Sequence, residues 1–341
     1  MDPLRVAVIG AGYWGPNLVR NFQANPGCDL LWVCDLEEQR ARRAVGRYST
    51  VKITTSPDDV IGDGEVEAVA LATPAATHMQ LATAVLEAGK HVMVEKPLAS
   101  SVTEGEAIVK LAEERGLTLM SDHTYCYTPA VQRIRDLVAT GTLGDIQYFD
   151  SVRINLGLVQ RDIDVFWDLA PHDLSILDFI LPEQWAPVGV AAHGADPIGA
   201  GHACVGYLTL PLKRDAIAHM HVNWLSPTKI RTTIIAGSRR TLVWDDLNPS
   251  QRLSIFDRGV DLHVPADTEA KREILVSYRS GEMVAPALPE AEALQAAVAE
   301  FVAAVRSGRP PLTDGHSGLR VLRMLDAAER SLDEGGRLMP L

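Results

Sequence analysis

Two polar side chains interrupt an apolar segment near the middle of the chain. Asp168 and His172 stand four residues apart in a stretch that predicts a helix over Asp168–Leu181. Residues at this spacing share a helix face, and a buried polar pair requires hydrogen-bond partners. Because a histidine side chain titrates near neutrality, His172 could exchange a proton with a bound hydroxyl group. Alternatively, Asp168 caps the helix and His172 only packs.

A lysine follows another apolar run. Residues His91–Glu95 predict a buried strand, and Lys96 and Pro97 come directly after it. Doubly wound sheets bind ligands at the carboxyl ends of their strands, where a cation could hold a reacting oxygen. The bond before Pro97 is a candidate for the cis form. The alternative is an exposed lysine in a turn, the usual environment of this residue type.

The third pattern is a glycine-rich turn near the N-terminus. A strand over Arg5–Ile9 leads into Gly-Ala-Gly-Tyr-Trp-Gly at positions 10–15, a GxGxxG motif, and Pro16 marks the start of a helix. Such a turn brings backbone N–H groups and a helix N-terminus close to a dinucleotide pyrophosphate. The residues expected to contact the cofactor here are Gly10, Gly12, Tyr13, Trp14 and Gly15.

An acidic residue ends the second predicted strand. Asp35 follows the strand Leu30–Cys34 and lies twenty residues beyond Gly15. Its carboxylate could accept hydrogen bonds from the adenosine ribose and would repel a 2′-phosphate, which favours NAD over NADP. Arg40, one turn into the next helix, could weaken that preference. A glycine turn with an unrelated solvated aspartate is the alternative, but the strand, motif, helix and acid together disfavour it.

The elements that must position these residues form two groups. The first 122 residues alternate apolar strands, including residues 68–72 and 117–121, with helices. This alternation predicts a doubly wound parallel sheet in an NAD-binding Rossmann domain, residues 1–122. Capping boxes are predicted at Thr77 with Gln80 and at Ser101 with Glu104.

The remaining chain, residues 123–341, predicts an α+β domain for substrate binding and oligomerisation. Segments of alternating polarity joined by short turns, including residues 216–225 and 232–236, predict an open, mostly antiparallel sheet. Helices are predicted near residues 129–140, 290–307 and 317–334, and the last one could pack back on the Rossmann domain.

Three phrases together resemble one family. Ala72-Thr73-Pro74 with His78, Glu95-Lys96-Pro97, and Trp167-Asp168-Leu169-Ala170-Pro171-His172-Asp173 are similar to motifs of the Gfo/Idh/MocA oxidoreductases, and the resemblance spans nearly the whole chain. It implies catalytic roles for Lys96, His172 and Asp168, and oligomer contacts, as in a homodimer or homotetramer, through the open sheet. Ala170 stands where glycine is usual, and the segment 123–129 also departs from the pattern. Further cofactor contacts are expected at Thr73, Pro74, His78, Glu95, Lys96 and Pro97.

The chemistry of alcohol oxidation suits these residues. A base must accept the hydroxyl proton while hydride leaves, and a cation must stabilise the developing alkoxide. We therefore expect Lys96 to hold the reacting hydroxyl and His172 to act as general acid/base. Asp168 would bind a neighbouring hydroxyl or orient His172.

The substrate is expected to be a sugar. The phrases at residues 13–22 and 167–173 are similar to a branch of the family that oxidises UDP-N-acetylhexosamines at C3. Residues 153–162 could hold a nucleotide-sugar pyrophosphate, or form an ordinary surface loop. Alternatives are an inositol-type polyol dehydrogenase, an NADPH-dependent sugar 3-ketoreductase, and a non-catalytic NAD-binding regulator. Expected substrate contacts are Lys96, Tyr125, Arg153, Asn155, Arg161, Asp168 and His172.

Composition limits the partners. The net charge of −12 disfavours nucleic acid, and no apolar run is long enough to span a bilayer. The N-terminus shows no signal-peptide pattern, which predicts a cytoplasmic protein. His219 and His221 could form a metal pair, but no third ligand has a persuasive spacing and the four cysteines form no CxxC, so no metal is expected.

Overall fold

The computed structural model describes residues 2–47, 49–160, 163–263 and 275–341. The chain divides into two compact units. The first comprises Met1–Pro129, Leu174–Phe179 and Glu290–Asp326, and the second comprises Ala130–Asp173, Ile180–Pro289 and Ala327–Leu341. None of the helices in the described ranges is long and apolar enough to cross a membrane.

The first unit contains a six-stranded sheet in which all neighbours are parallel. The strand order is β3-β2-β1-β4-β5-β6, the Rossmann order, so the predicted doubly wound sheet is confirmed. The strands are β1 (Leu4–Ile9), β2 (Cys28–Cys34), β3 (Lys52–Thr54), β4 (Ala68–Leu71), β5 (His91–Glu95) and β6 (Leu119–Asp122).

Helices cover this sheet and supply its core. Val6 and Val8 of β1 pack in one apolar cluster with Phe22 and Phe301, whose rings meet edge to face at 6.5 Å. The helices in the described residues are α1 (Gly15–Ala24), α2 (Glu38–Val45), α3 (Pro57–Gly62), α4 (His78–Glu87), α5 (Val102–Arg115), α6 (Pro129–Ala139), α7 (Val165–Ile180), α8 (Ala293–Ser307) and α9 (Gly315–Asp333).

The two predicted capping boxes have different outcomes. At α5 the Ser101 side chain accepts a hydrogen bond from the Glu104 N–H at 3.3 Å, while the Glu104 carboxylate accepts from the N–H of Ser100. The prediction at Thr77 was wrong, because a short 3₁₀ turn precedes α4. The Thr77 hydroxyl instead donates a hydrogen bond to the Pro74 carbonyl oxygen at 2.8 Å, within that turn.

The second unit is built on a nine-stranded sheet, in the order β14-β13-β12-β11-β7-β10-β9-β8-β15. Within the described part of this sheet only β7 and β10 pair in parallel, and the other neighbours are antiparallel, so the predicted open, mostly antiparallel sheet is confirmed. The strands are β7 (Ile146–Leu156), β8 (Gly189–Ala195), β9 (Val205–Leu212), β10 (Ala216–Asn223), β11 (Leu225–Gly237), β12 (Thr241–Asp245), β13 (Leu253–His263), β14 (Leu275–Val284) and β15 (Met339–Pro340).

Helix α7 begins three residues earlier than predicted. The Asp164 carboxylate accepts hydrogen bonds from the N–H groups of Phe166 at 3.0 Å and Trp167 at 2.9 Å, so Asp164 caps the helix. The Phe166 ring lies against Gly206 of β9, where a Cβ atom would come within 2.1 Å of the ring. A glycine at this position therefore allows the first turn of α7 to approach the sheet closely.

Candidate active site

The glycine turn has the geometry of a dinucleotide-binding motif. Gly10 has φ +100°, and a Cβ atom on it would lie 2.5 Å from the carbonyl oxygen of Ala72. A Cβ atom on Gly15 would lie 2.1 Å from the carbonyl oxygen of Gly10, whereas one on Gly12 would meet no atom within 4 Å. The first and third glycines thus permit the strand–turn–helix packing, and the second leaves open space beside the turn.

Asp35 joins this turn to the next strand–helix connection. Its carboxylate accepts hydrogen bonds from the N–H of Ala11 at 2.7 Å and the N–H of Glu37 at 2.9 Å. Arg40 forms an ion pair with Glu37 at 2.6 Å. A cavity of about 520 Å³ opens here, lined by Ala11, Gly12, Tyr13, Pro16, Arg40, Arg43 and Ala44. The turn, the acid and the cavity fit the pyrophosphate and adenosine parts of a dinucleotide.

The Lys96–Pro97 peptide bond is cis, and His78 supports the loop that contains it. The two ring nitrogens of His78 lie 2.9 Å from the carbonyl oxygens of Pro97 and Thr73, and the side chain is buried. Burial lowers the pKa of His78, although the two carbonyls oppose this effect. His78 therefore ties two loops together, which differs from the direct cofactor contact that the resemblance implied.

Lys96 itself follows β5 at the carboxyl edge of the parallel sheet. The backbone N–H of Lys96 donates to the Glu95 carboxyl at 3.2 Å, and Lys96 is half-buried. Tyr125 lies in a 3₁₀ turn, Thr124–Tyr127, directly after β6, and is also half-buried. Both residues thus lie at the strand ends where sheets of this class bind ligands.

In the second unit, Asp168 and His172 lie one turn apart on α7, and both are half-buried. The indole N–H of Trp224 donates to the Asp168 carboxylate at 3.0 Å, and Trp224 is only 1% exposed. Because Asp164 caps the helix, the alternative of Asp168 as the capping residue is excluded. The sequence analysis did not identify Trp224. The available signal was a tryptophan near the end of a predicted strand, because a buried indole N–H usually needs a hydrogen-bond acceptor.

Arg153 has a different environment from the one expected. Its guanidinium donates to the Asp173 carboxylate at 2.8 and 3.0 Å, and the two side chains are 5% and 2% exposed. The Ser151 hydroxyl donates to the same carboxylate at 2.9 Å. The expected substrate contact of Arg153 is therefore corrected: this arginine forms a buried ion pair between β7 and α7.

The other expected substrate contacts on this segment have separate outcomes. Asn155 is half-buried. Its side chain and that of Trp224 both lie beside Gly157, where each would be 3.0 Å from a Cβ atom, so the two side chains are near each other. Arg161 lies outside the described residues.

The His219 and His221 rings stack on Tyr207, at 6.0 and 4.4 Å between centroids.

A Rossmann sheet with a dinucleotide turn, joined to a second unit with an open mixed sheet, defines the class of NAD(P)-dependent dehydrogenases with a separate substrate domain. Comparison with protein families agrees. Residues 4–123 match the oxidoreductase family model for the NAD-binding Rossmann fold, and residues 135–340 match the model for its C-terminal α/β domain. The chain belongs to the Gfo/Idh/MocA oxidoreductase family, as the motifs predicted, and the predicted enzyme class is confirmed.

Several relatives extend over nearly the whole chain. UDP-N-acetylglucosamine 3-dehydrogenase from Acidithiobacillus ferrooxidans is 27% identical over 335 residues, which cover 94% of this chain and 95% of the relative. Its solved structure has a TM-score of 0.82 and covers 99% of this chain and 100% of that one. GenD2 from gentamicin A biosynthesis, solved in complex with NAD, has a TM-score of 0.82 at 25% identity and covers 100% of this chain and 97% of that one. Myo-inositol 2-dehydrogenase from Thermotoga maritima is 24% identical over 346 residues, covering 97% of each chain.

Proposed function

We propose that the protein uses NAD to oxidise the C3 hydroxyl of a nucleotide-linked sugar, such as a UDP-N-acetylhexosamine. The observation that carries this proposal is the α7 face on which Asp168, oriented by Trp224, lies one turn from His172. Such a face can bind two neighbouring hydroxyl groups of a sugar ring. The likeness to a UDP-N-acetylglucosamine 3-dehydrogenase over nearly the full length of both chains supports the same substrate class.

We propose NAD as the preferred cofactor. The open space beside Gly12 would hold the pyrophosphate, and the carboxylate of Asp35 would accept hydrogen bonds from the adenosine ribose. A 2′-phosphate would meet the negative charge of Asp35. Arg40 is already paired with Glu37, which reduces what it can offer to that phosphate.

The proposed reaction is a proton transfer coupled to hydride removal. Bound NAD would supply the hydride acceptor for the carbon that bears the hydroxyl. His172 is proposed to take the hydroxyl proton as a general base, and Lys96 to donate a hydrogen bond to the same oxygen as negative charge develops there. Asp168 would accept a hydrogen bond from the adjacent hydroxyl, with its carboxylate fixed by the Trp224 N–H. Tyr125, Asn155 and Arg161 complete the proposed substrate contacts.

Absorbance of reduced nicotinamide tests this proposal directly. The purified protein is mixed with UDP-N-acetylglucosamine, its uronic acid or myo-inositol, each with NAD and then with NADP. We expect reduction of NAD with a UDP-sugar. Turnover of inositol alone would move the substrate class to free polyols, and silence with all pairs would refute the oxidation and favour a reductase or a regulator.

A pair of lysine substitutions tests the proposed catalytic role. Lys96→Ala is expected to lower kcat by at least about 100-fold, because the reacting oxygen loses its charged donor. Lys110→Ala is the matched control, since Lys110 is exposed and pairs with Glu114 on the surface of α5. A Lys96→Ala variant that keeps full turnover would refute the role of Lys96.

We also propose that the nine-stranded sheet mediates self-association. Several apolar side chains on its strands are at least one-third exposed in the single chain: Tyr207, Ile217, Ile230, Val260, Val276 and Tyr278. Exposed apolar residues concentrated on one sheet are typical of a protein interface. Light scattering during gel filtration should give a dimer or tetramer, and Tyr278→Lys should shift it towards the monomer.

A further inference from the structure

Two carboxyl groups meet inside the first unit at the ends of neighbouring strands. Glu95 is the last residue of β5, Asp122 is the last residue of β6, and the parallel register pairs them directly. Registered neighbours in a sheet project from the same face, so the two side chains are adjacent. The Glu95 Oε1 and Asp122 Oδ2 atoms are both buried and have no N–H or O–H partner among the described residues.

The remaining oxygen of each carboxyl is already engaged. Glu95 Oε2 accepts from the Lys96 N–H at 3.2 Å, and Asp122 Oδ1 accepts from the Thr124 hydroxyl at 2.9 Å. An ionised carboxylate can only accept hydrogen bonds. Two ionised groups would therefore leave two buried acceptors unsatisfied and place two like charges side by side. A single proton between them supplies one donor and satisfies both remaining oxygens.

We propose that Glu95 and Asp122 share one proton and act as a positioning pair for Lys96 and the glycine turn. The pair then carries one negative charge in place of two. Its function rests on the proposed role of Lys96 and on NAD as the cofactor. Its protonation state does not depend on either.

The surroundings determine which carboxyl holds the proton. Burial, followed by the neighbouring Asp122 charge, raises the pKa of Glu95 well above its usual range. Burial also raises the pKa of Asp122, but hydrogen bonds from Glu95 and Thr124 oppose this effect. Glu95 therefore carries the proton at neutral pH, and Asp122 carries the charge.

Three further titratable groups lie close to the pair, and one of them, Tyr127, is neutral because burial raises its pKa well above its usual range. The positive charge of Lys96 favours the ionised form of Glu95, but it is a smaller influence than burial. His123 follows Asp122 and is neutral, because burial and then the charges of Lys96 and Arg320 lower its pKa to about 3. His123 thus adds no positive charge that could hold both carboxylates ionised.

The pair contacts both parts of the cofactor site within this unit. The Glu95 carboxyl accepts a hydrogen bond from the Lys96 backbone N–H. The indole N–H of Trp14 favours the ionised form of Asp122. The geometry of this approach is outside that of a regular hydrogen bond, and the indole nitrogen has no hydrogen-bond partner among the described residues. Trp14 belongs to the glycine turn. Loss of the shared proton at alkaline pH would drive the two strand ends apart and disturb the lysine and the turn together.

Infrared spectroscopy and two substitutions test the shared proton. Glu95→Gln keeps a donor towards Asp122 but cannot ionise, whereas Glu95→Asp keeps an acid but is one methylene too short to reach its partner. Wild type should show the C=O stretch of a protonated carboxylic acid at neutral and mildly alkaline pH, and Glu95→Gln should lose it. Absence of this band in wild type, or its persistence in Glu95→Gln, would overturn the proposal.

The positioning role is tested by NAD affinity and thermal unfolding as functions of pH, with the exposed Glu113→Gln as the control. Since the native state holds a proton that the unfolded chain releases, wild-type Tm should fall relative to Glu95→Gln as pH rises. NAD binding should weaken with alkaline pH in wild type but not in Glu95→Gln, and Glu95→Asp should bind about tenfold more weakly at neutral pH. Equal losses in Glu95→Gln and Glu95→Asp would refute the positioning role. If NAD does not bind at all, the proposed function fails while the infrared and Tm results still decide on the pair.

Discussion

Replacing Asp173 by asparagine should lower the free energy of unfolding of the second unit by about 3–5 kcal/mol. The reason is the burial of its ion pair with Arg153, whose side chain is 5% exposed against 2% for Asp173. An exposed arginine would recover its hydration after such a change. Here the guanidinium would remain out of water and would lose the carboxylate charge that faces it.

The magnitude follows from the individual contacts. The carboxylate accepts three hydrogen bonds, from the Arg153 Nε at 2.8 Å, another guanidinium nitrogen at 3.0 Å and the Ser151 hydroxyl at 2.9 Å. Asparagine can keep the acceptor that faces Ser151, but its amide NH₂ then opposes the Arg153 Nε–H. A hydrogen bond to a charged group contributes about 1.5–3 kcal/mol, so one lost bond and the loss of the facing negative charge together reach the expected range.

Thermal unfolding measures this effect. For a folding unit of this size, 1 kcal/mol shifts Tm by about 2–4 °C, so Asp173→Asn should lower Tm by about 6–20 °C. Glu106→Gln is the control, since it removes an exposed partner of Arg323 at 3.0 Å and should cost at most about 1 kcal/mol. The double variant Arg153→Met/Asp173→Leu should recover most of the loss, because no buried charge is left unpaired. A Tm for Asp173→Asn as high as that of Glu106→Gln would refute the reasoning.

Three further substitutions test the site and its surroundings. Trp224→Phe removes the N–H that orients Asp168 and should lower kcat about tenfold in steady-state kinetics with the fold retained; unchanged kcat would contradict the orienting role. Asp35→Asn removes the charge that repels a 2′-phosphate and should raise the NADP-to-NAD ratio of kcat/KM about tenfold, whereas an unchanged ratio would show that Asp35 does not discriminate. Hydrogen bonds from Arg20 and Asn21 lower the pKa of Glu292 to about 2, so its contribution to stability is present above about pH 4.5 and is lost as pH falls towards 2. Glu292→Gln should therefore have a lower Tm at neutral pH and approach wild type under acid conditions; a pH-independent difference would exclude this linkage.

The parallel sheet was predictable because its signals are local. Each strand is a short apolar run, and the glycine turn reports a backbone conformation that few other residues adopt, as Gly10 shows with φ +100°. The alternation of strands and helices predicts parallel pairing, although doubly wound sheets with this alternation occur in more than one strand order. The failed capping box at Thr77 shows the limit of a local signal, since the preceding 3₁₀ turn uses the same hydroxyl.

The mixed sheet was predictable in kind but not in pairing. Alternating polarity indicates antiparallel strands, yet it does not reveal that β7 pairs with β10 in parallel and with β11 on its other side. These partners are distant in sequence, and their register depends on how both faces of the sheet are covered. The partner of Asp168 was missed for the same reason, because Trp224 lies 56 residues away along the chain.

Arg153 was wrongly expected to contact the substrate, although the sequence pattern indicates that its side chain is buried. Phe149, Ser151 and Arg153 are every second residue of β7. Because successive side chains of a strand point to opposite faces, these three side chains share one face. Phe149 is fully buried, so the same periodicity places Arg153 on the covered face, where only a paired charge is stable. An arginine within two or four residues of a core aromatic on a strand is therefore better predicted as an internal ion pair, and its partner sought on the helix that covers that face, than as a ligand for a phosphate.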